Sequence, residues 1–181
     1  LNSIFFFLVK RGNLKDMDDK PVVYLGADHG GFALKEQVKS WLTEWGYSYQ
    51  DLGAHQLDPD DDYPQFALAV AEAVAAQRPE LAAESAPPMA PALGVLLCRS
   101  GGGVIIAANK VSGIRAVQVN NPQEAMHAKE HNDANVISLA ADWLSPEAAE
   151  LTLKAFLTTP FTQEIRHVRR LAQISNYEHS Q

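Results

Sequence analysis

The feature that most constrains this chain is a strict alternation of short apolar runs with stretches of helical periodicity. Val22 to Leu25 is a β-branched and aromatic run closed by Gly26. Phe32, Leu34, Val38, Trp41, Leu42 and Trp45 then recur at three- and four-residue spacing, as one helix face requires, and Gly46 stops them as a C-terminal cap. Tyr47 to Leu52 predicts a second strand. Phe66, Ala69, Val70, Ala73 and Val74 predict a second helix that begins near Tyr63-Pro64, with proline in its first turn. Gly94 to Leu97, Ile114 to Val119 and Ala134 to Leu139 predict three more strands. Further helices are expected over Pro122 to Glu130, from Ser145-Pro146-Glu147 to Leu157, and over Thr162 to Ile174.

Strands that are apolar on both faces must be covered on both faces. The pattern therefore predicts a doubly wound, Rossmann-like α/β domain: a five-stranded parallel sheet, helices on each side and an added C-terminal helix. Residues 21–176 hold the pattern, and a chain of 181 residues buries a sizeable core without disulfide or metal staples. Residues 1–20 and 177–181 are expected to be tails, the first disordered, and 77–92, rich in Ala, Pro and Glu, a surface loop. The apolar run Ile4 to Val9 is far shorter than the roughly 18 residues that span a bilayer. It also lacks the flanks of a secretory signal. Met17 is the expected translation start, because the core pattern begins at Pro21.

The formal net charge of -7 argues against a general nucleic-acid binder, which needs a basic face to replace phosphate counterions. The single cysteine, Cys98, excludes an internal disulfide and a thiolate metal cluster and fits a reducing, cytoplasmic setting.

In open α/β sheets, ligands bind where the chain leaves the carboxyl ends of the strands. Two loops at that edge stand out. Gly26-Ala27-Asp28-His29-Gly30-Gly31 follows the first strand, and Cys98-Arg99-Ser100-Gly101-Gly102-Gly103 follows the third. Glycines at strand-to-helix turns let backbone N–H groups approach an anion, and each loop also carries ionisable side chains. Neither loop has the spacing of a dinucleotide or P-loop fingerprint, so no nucleotide cofactor is implied. Cys98 precedes the triple glycine, where a helix N-terminus would ease loss of its proton; a lone cysteine is otherwise most often an inert core residue.

Arg166 and Arg170 lie four apart in the C-terminal helix, so their guanidinium forks share a face suited to a phosphate. A solvated basic face is the ordinary alternative. His127-Ala128-Lys129-Glu130-His131 matches the H-x-x-E-H pattern of a class of zinc peptidases, but no third ligand is evident and no metal is expected. The acidic stretch Asp58, Asp60, Asp61, Asp62 lacks the spacing of a calcium loop and reads as solvated.

Taken together these residues resemble the family of type B ribose-5-phosphate isomerases and galactose-6-phosphate isomerase subunits, from about Val22 to Ile174. The resemblance rests on Asp28-His29-Gly30-Gly31-Phe32, Asp62-Tyr63-Pro64, Cys98 to Lys110, Gly113-Ile114-Arg115-Ala116, Glu130 to Asn135 and Arg166 to Arg170 in that order. It implies cofactor-free interconversion of an aldose phosphate and a ketose phosphate through an enediolate. Cys98 matches the base of one subtype; the other subtype uses a glutamate where this chain has Val104. Ser100 and the amides of Gly101, Gly102 and Gly103 match the enediolate-stabilising loop. Asp28 and His131 match positions associated with sugar ring opening, Asn132 an orienting donor, His29, Arg166 and Arg170 phosphate-binding positions, and Tyr63 a pocket wall.

His131 ends the helix before the fifth strand, which puts it at the amino edge of the sheet, whereas Cys98 is at the carboxyl edge. One site can hold both only if two subunits share it, so a homodimer or tetramer with composite sites is expected. Two positions depart from the family: Asp142 stands where an arginine is usual, and Arg99 where a glycine is usual, so that Arg99 is a candidate replacement for the lost cation. Ribose 5-phosphate and ribulose 5-phosphate are the expected pair. The alternatives are a six-carbon substrate such as galactose or allose 6-phosphate, and a catalytically weak phosphosugar-binding homologue.

Overall fold

The computed structural model describes residues 20–77 and 92–180. The expected N-terminal tail, apart from Lys20, and the expected 77–92 loop, apart from its two end residues, lie outside them. The elements run β1 (Val22–Ala27), α1 (Phe32–Glu44), β2 (Tyr49–Asp51), α2 (Tyr63–Ala76), β3 (Ala92–Cys98), α3 (Gly102–Ala108), β4 (Ala116–Gln118), α4 (Pro122–Asn132), β5 (Val136–Ala140), α5 (Pro146–Thr158) and α6 (Ile165–Glu178). All strand pairs are parallel, in the order β2-β1-β3-β5-β4. This is the doubly wound α/β sheet that the alternation predicts.

Burial follows position in the sheet. Central β3 and β5 are buried almost throughout, while edge strands β2 and β4 are mostly half-buried. Alternate residues then sort to the two faces with the period of a strand. Val23, Leu25, Val95 and Leu97 pack with Leu34, Val38 and Leu42 of α1 and Leu153 and Phe156 of α5. Tyr24, Leu96 and Cys98 face the other way, into Ala67, Val70 and Val74 of α2 and Val104 and Ala108 of α3. Cys98 is thus the last inward residue of a buried strand, on the α2–α3 face.

The helix starts follow their capping chemistry. Asn121 accepts from the Glu124 N–H at 2.9 Å, and the Glu124 carboxylate in turn accepts from the Asn120 N–H at 2.7 Å. Ser145 accepts from the Ala148 N–H at 3.2 Å, with Pro146 just inside α5. One boundary needs correction. Tyr177 and Glu178 belong to α6 rather than to a tail, and the Glu178 carboxylate accepts from the Gly113 N–H at 3.0 Å, which ties the helix end to the body of the domain.

Candidate active site

The chain leaves β1 for β2 on one side of the sheet and leaves β3 for β4 on the other, passing the position of β5, so the connections diverge at the carboxyl ends of β1 and β3. The two glycine loops meet there. A Cβ on Gly31 would lie 2.3 Å from the carbonyl of Leu97, and one on Gly30 would lie 2.1 Å from Cγ of Arg99. Only bare backbone fits at these two positions. The first loop therefore rests directly on the end of β3 and brings Asp28 beside Cys98 and His29 beside Arg99.

Asp28 is buried, and its carboxylate accepts from the Gly31 N–H at 3.0 Å, which fixes the turn. Burial pushes its pKa up, opposed by that N–H and by His29. His29 is held by a residue from a distant loop. Its Nδ1 lies 2.7 Å from Oδ1 of Asp61, and its backbone N–H donates to the same oxygen at 2.9 Å. That bond raises the His29 pKa.

Cys98 is 5% exposed, and its Sγ accepts from the Gly101 N–H at 3.1 Å. Gly101 makes this approach with φ +82, in the left-handed region that glycine adopts without strain. The expectation of an eased proton is overturned here. Burial pushes the thiol up, the amide only partly opposes it, and the Asp28 carboxylate pushes it up further.

Ser100 is exposed, and its carbonyl accepts from Nε2 of Gln118 at 2.7 Å. Tyr63, at the start of α2, lays its ring against Gly103, where an added Cβ would meet it at 2.7 Å. Asp28, His29, Tyr63, Cys98, Ser100, Gly101, Gly102 and Gly103 therefore gather at one edge of the sheet.

His131, Asn132 and Arg170 gather elsewhere. They line a cavity of about 380 Å³ between α4 and α6, together with Gln118, His127 and His167. The His131 ring sits 4.6 Å from that of His127 and 4.5 Å from that of His167, centroid to centroid. The Asn132 carbonyl accepts from Nε of Arg115, just before β4, so the end of α4 lies at the amino edge of the sheet. Arg166 pairs with Glu164 at 2.8 Å instead of converging with Arg170. Among the described residues, no three His, Cys, Asp or Glu side chains are grouped as metal ligands would be.

Sequence reasoning missed three residues. Asp61, read as part of a solvated stretch, has a side chain only 5% exposed and is the anchor of His29. Gln118 carried no signal, because only the fold sets its amide against Ser100 and Gly101; His167 stood in the basic run of the last helix, but its place beside His131 shows only in the fold.

A family model for ribose/galactose isomerases matches residues 23–174. The chain belongs to the ribose/galactose isomerase family. Among its relatives, ribose-5-phosphate isomerase B of Mycolicibacterium paratuberculosis is 38% identical over 156 residues, 86% of this chain and 91% of the relative. The Mycobacterium tuberculosis protein of that name is also 38% identical, over 86% of this chain and 89% of its own length. Among solved structures, ribose-5-phosphate isomerase B of Mycoplasma genitalium with bound ribulose-5-phosphate superposes with TM-score 0.79 at 32% identity, covering 88% of this chain and 97% of that one. The Clostridium thermocellum enzyme gives TM-score 0.77 at 34% identity, covering 88% and 98%. Membership of the ribose/galactose isomerase family makes this chain a sugar isomerase of the aldose–ketose kind. No helix among the described residues is long and apolar enough to cross a membrane.

Proposed function

We propose that the chain interconverts ribose 5-phosphate and ribulose 5-phosphate without a cofactor, with Cys98 as the base. The observation that carries this reading is the contact of Cys98 Sγ with the Gly101 N–H in a loop that also abuts Asp28 and His29. The names of the relatives point to the same substrate pair.

Asp28 and His131 assist opening of the sugar ring, and Asn132 orients the chain form. The Cys98 thiolate takes the proton from the carbon next to the carbonyl, and the electron pair moves onto the carbonyl oxygen. Ser100 and the amides of the Gly101–Gly103 run hold the resulting enediolate, as donors set in place before charge develops. The proton is then delivered to the former carbonyl carbon, while the proton of the adjacent hydroxyl crosses to the former carbonyl oxygen, so that the new C=O forms at the adjacent carbon. Burial that raises the thiol makes its thiolate a stronger base towards carbon while lowering the fraction present. His29, Arg166 and Arg170 take the phosphate, and Tyr63 walls the sugar.

The distribution of these groups supports sites shared between subunits. Cys98 and Asp28 lie at one edge of the sheet, and His131 and Asn132 at the other end of α4. Helix α6 exposes the apolar side chains Ile165, Val168, Ile174 and Tyr177, which contact within a homodimer or tetramer would cover. A reducing, cytoplasmic setting suits Cys98 as a free thiol.

The test is turnover of ribose 5-phosphate by purified protein in the presence of a chelator. Cys98→Ser is expected to lower kcat by about 10²- to 10⁴-fold while the sugar phosphate still binds; unchanged turnover would remove the base assignment. Binding without turnover in the unaltered protein points to a phosphosugar-binding homologue. Faster turnover of galactose or allose 6-phosphate points to a six-carbon substrate.

A further inference from the structure

We propose that Arg99 is a phosphate-binding residue for the substrate, held in place by Asp142. This inference rests on the reading of the chain as a sugar-phosphate isomerase.

Charge at the carboxyl edge of the sheet is one-sided. The segments that leave the carboxyl ends of the five strands, 28–31, 52–62, 99–101, 119–121 and 141–145, carry Asp28, Asp58, Asp60, Asp61, Asp62 and Asp142. Against these six carboxylates they carry one permanent cation, Arg99. A phosphorylated sugar brought to this edge meets a field that repels it, except where Arg99 and the Asp61-bonded His29 stand. Inside the subunit that supplies Cys98, no other Lys or Arg is available in these segments.

The Arg99 stem lies on Gly30, where an added Cβ would come within 2.1 Å of Cγ, so the side chain is seated across the first glycine loop next to His29. The guanidinium stands near enough to His29 to oppose its protonation. Nε of Arg99 donates to Oδ2 of Asp142 at 3.0 Å, and the Asp142 N–H donates to the Arg99 carbonyl at 3.0 Å. Asp142 is thus fixed to Arg99 by main chain and side chain together. The bond uses Nε alone, so the four N–H donors on the terminal nitrogens have no protein partner among the described residues. A guanidinium gripped at Nε with its terminal fork open matches the oxygens of a phosphate monoester.

The experiment titrates inorganic phosphate into the full-length protein by 31P NMR and measures KM and kcat for ribose 5-phosphate in parallel. Arg99→Gln keeps the stem on Gly30 and removes the charge. It is expected to weaken phosphate binding at least about tenfold and to raise KM more than it lowers kcat. Arg99→Lys should recover part of the loss. Asp142→Asn keeps an acceptor for Nε and removes an acid, and should tighten phosphate binding about threefold. Phosphate binding that is the same in Arg99→Gln and unaltered protein overturns the proposal. So does an equal loss in Arg99→Gln and Asp142→Asn, which would mark the pair as a loop fastening only. Phosphate binding that depends on Arg99 in a protein that turns over no sugar phosphate leaves this assignment standing and rejects the catalytic reading instead.

Discussion

Asp61 grips His29 twice through one carboxylate oxygen, 2.7 Å from the ring Nδ1 and 2.9 Å from the backbone nitrogen, across 32 residues of chain. The bond favours the charged imidazole and raises its pKa above the ordinary 6.5. A raised value in the fold means that the bond stabilises the fold fully below that ordinary value. The contribution is lost as pH rises through the raised one. In Asp61→Asn the His29 titration midpoint, followed by NMR of the ring, is expected to move down. Phosphate binding should then fall away at lower pH than in the unaltered protein.

Cys98 and Asp28 form a second coupled pair. Burial raises the thiol and the neighbouring carboxylate adds to the effect. Alkylation of Cys98 by iodoacetamide should therefore be slow at neutral pH and reach half its limiting rate above the ordinary thiol value of 9.0. Asp28→Asn is expected to shift that midpoint down, and a midpoint that does not move would show that burial acts alone.

Lys35 is fully buried, and its ammonium is bonded to the carboxylate of Asp51. Burial pushes Asp51 up, but donation from Lys35, the Gly53 N–H and Lys39 outweighs it and leaves the carboxylate below its ordinary 3.8. The stabilisation is thus present above that value and is lost as pH falls through the lowered one. Asp51→Ala leaves the buried ammonium only the Glu36 carboxylate, 3.3 Å away, and should cost about 2 kcal/mol in urea unfolding at pH 7. The difference from the unaltered protein should shrink in acid below pH 3.8.

The proposal that two subunits share each site makes an arithmetical prediction. Cys98→Ser and His131→Ala would each silence both sites of a homodimer. Mixed and reassembled in equal amounts, they should regain about a quarter of normal turnover, because half the dimers are mixed and each mixed dimer has one intact site. Recovery no greater than the sum of the separate variants would show that each subunit works alone.

Much of the fold was legible because central strands must be apolar on both sides, and Val22 to Leu25 and Gly94 to Leu97 show this without any partner in view. The ends were less legible. Ile114 and Arg115 precede β4 although their composition suits a strand, since β4 pairs with β5 only from Ala116. The glycine loops announced the carboxyl edge, and His29 and Cys98 could be read from them. Asp61 could not, because one aspartate among four reads as solvated until the fold sets it under an imidazole. The proton affinity of Cys98 was misjudged for a related reason: a sequence shows the glycines that follow a cysteine but not the apolar wall or the carboxylate beside it.

The absence of side chains at Gly30 and Gly31 has a consequence for motion. With Gly31 pressed on the Leu97 backbone and Gly30 under the Arg99 stem, the turn bearing Asp28 cannot drift without carrying the end of β3 with it, so acid and sulfur travel as one rigid body. Any opening that admits a sugar must then come from what surrounds this joint, such as the Tyr63 ring, while the joint itself keeps its spacing.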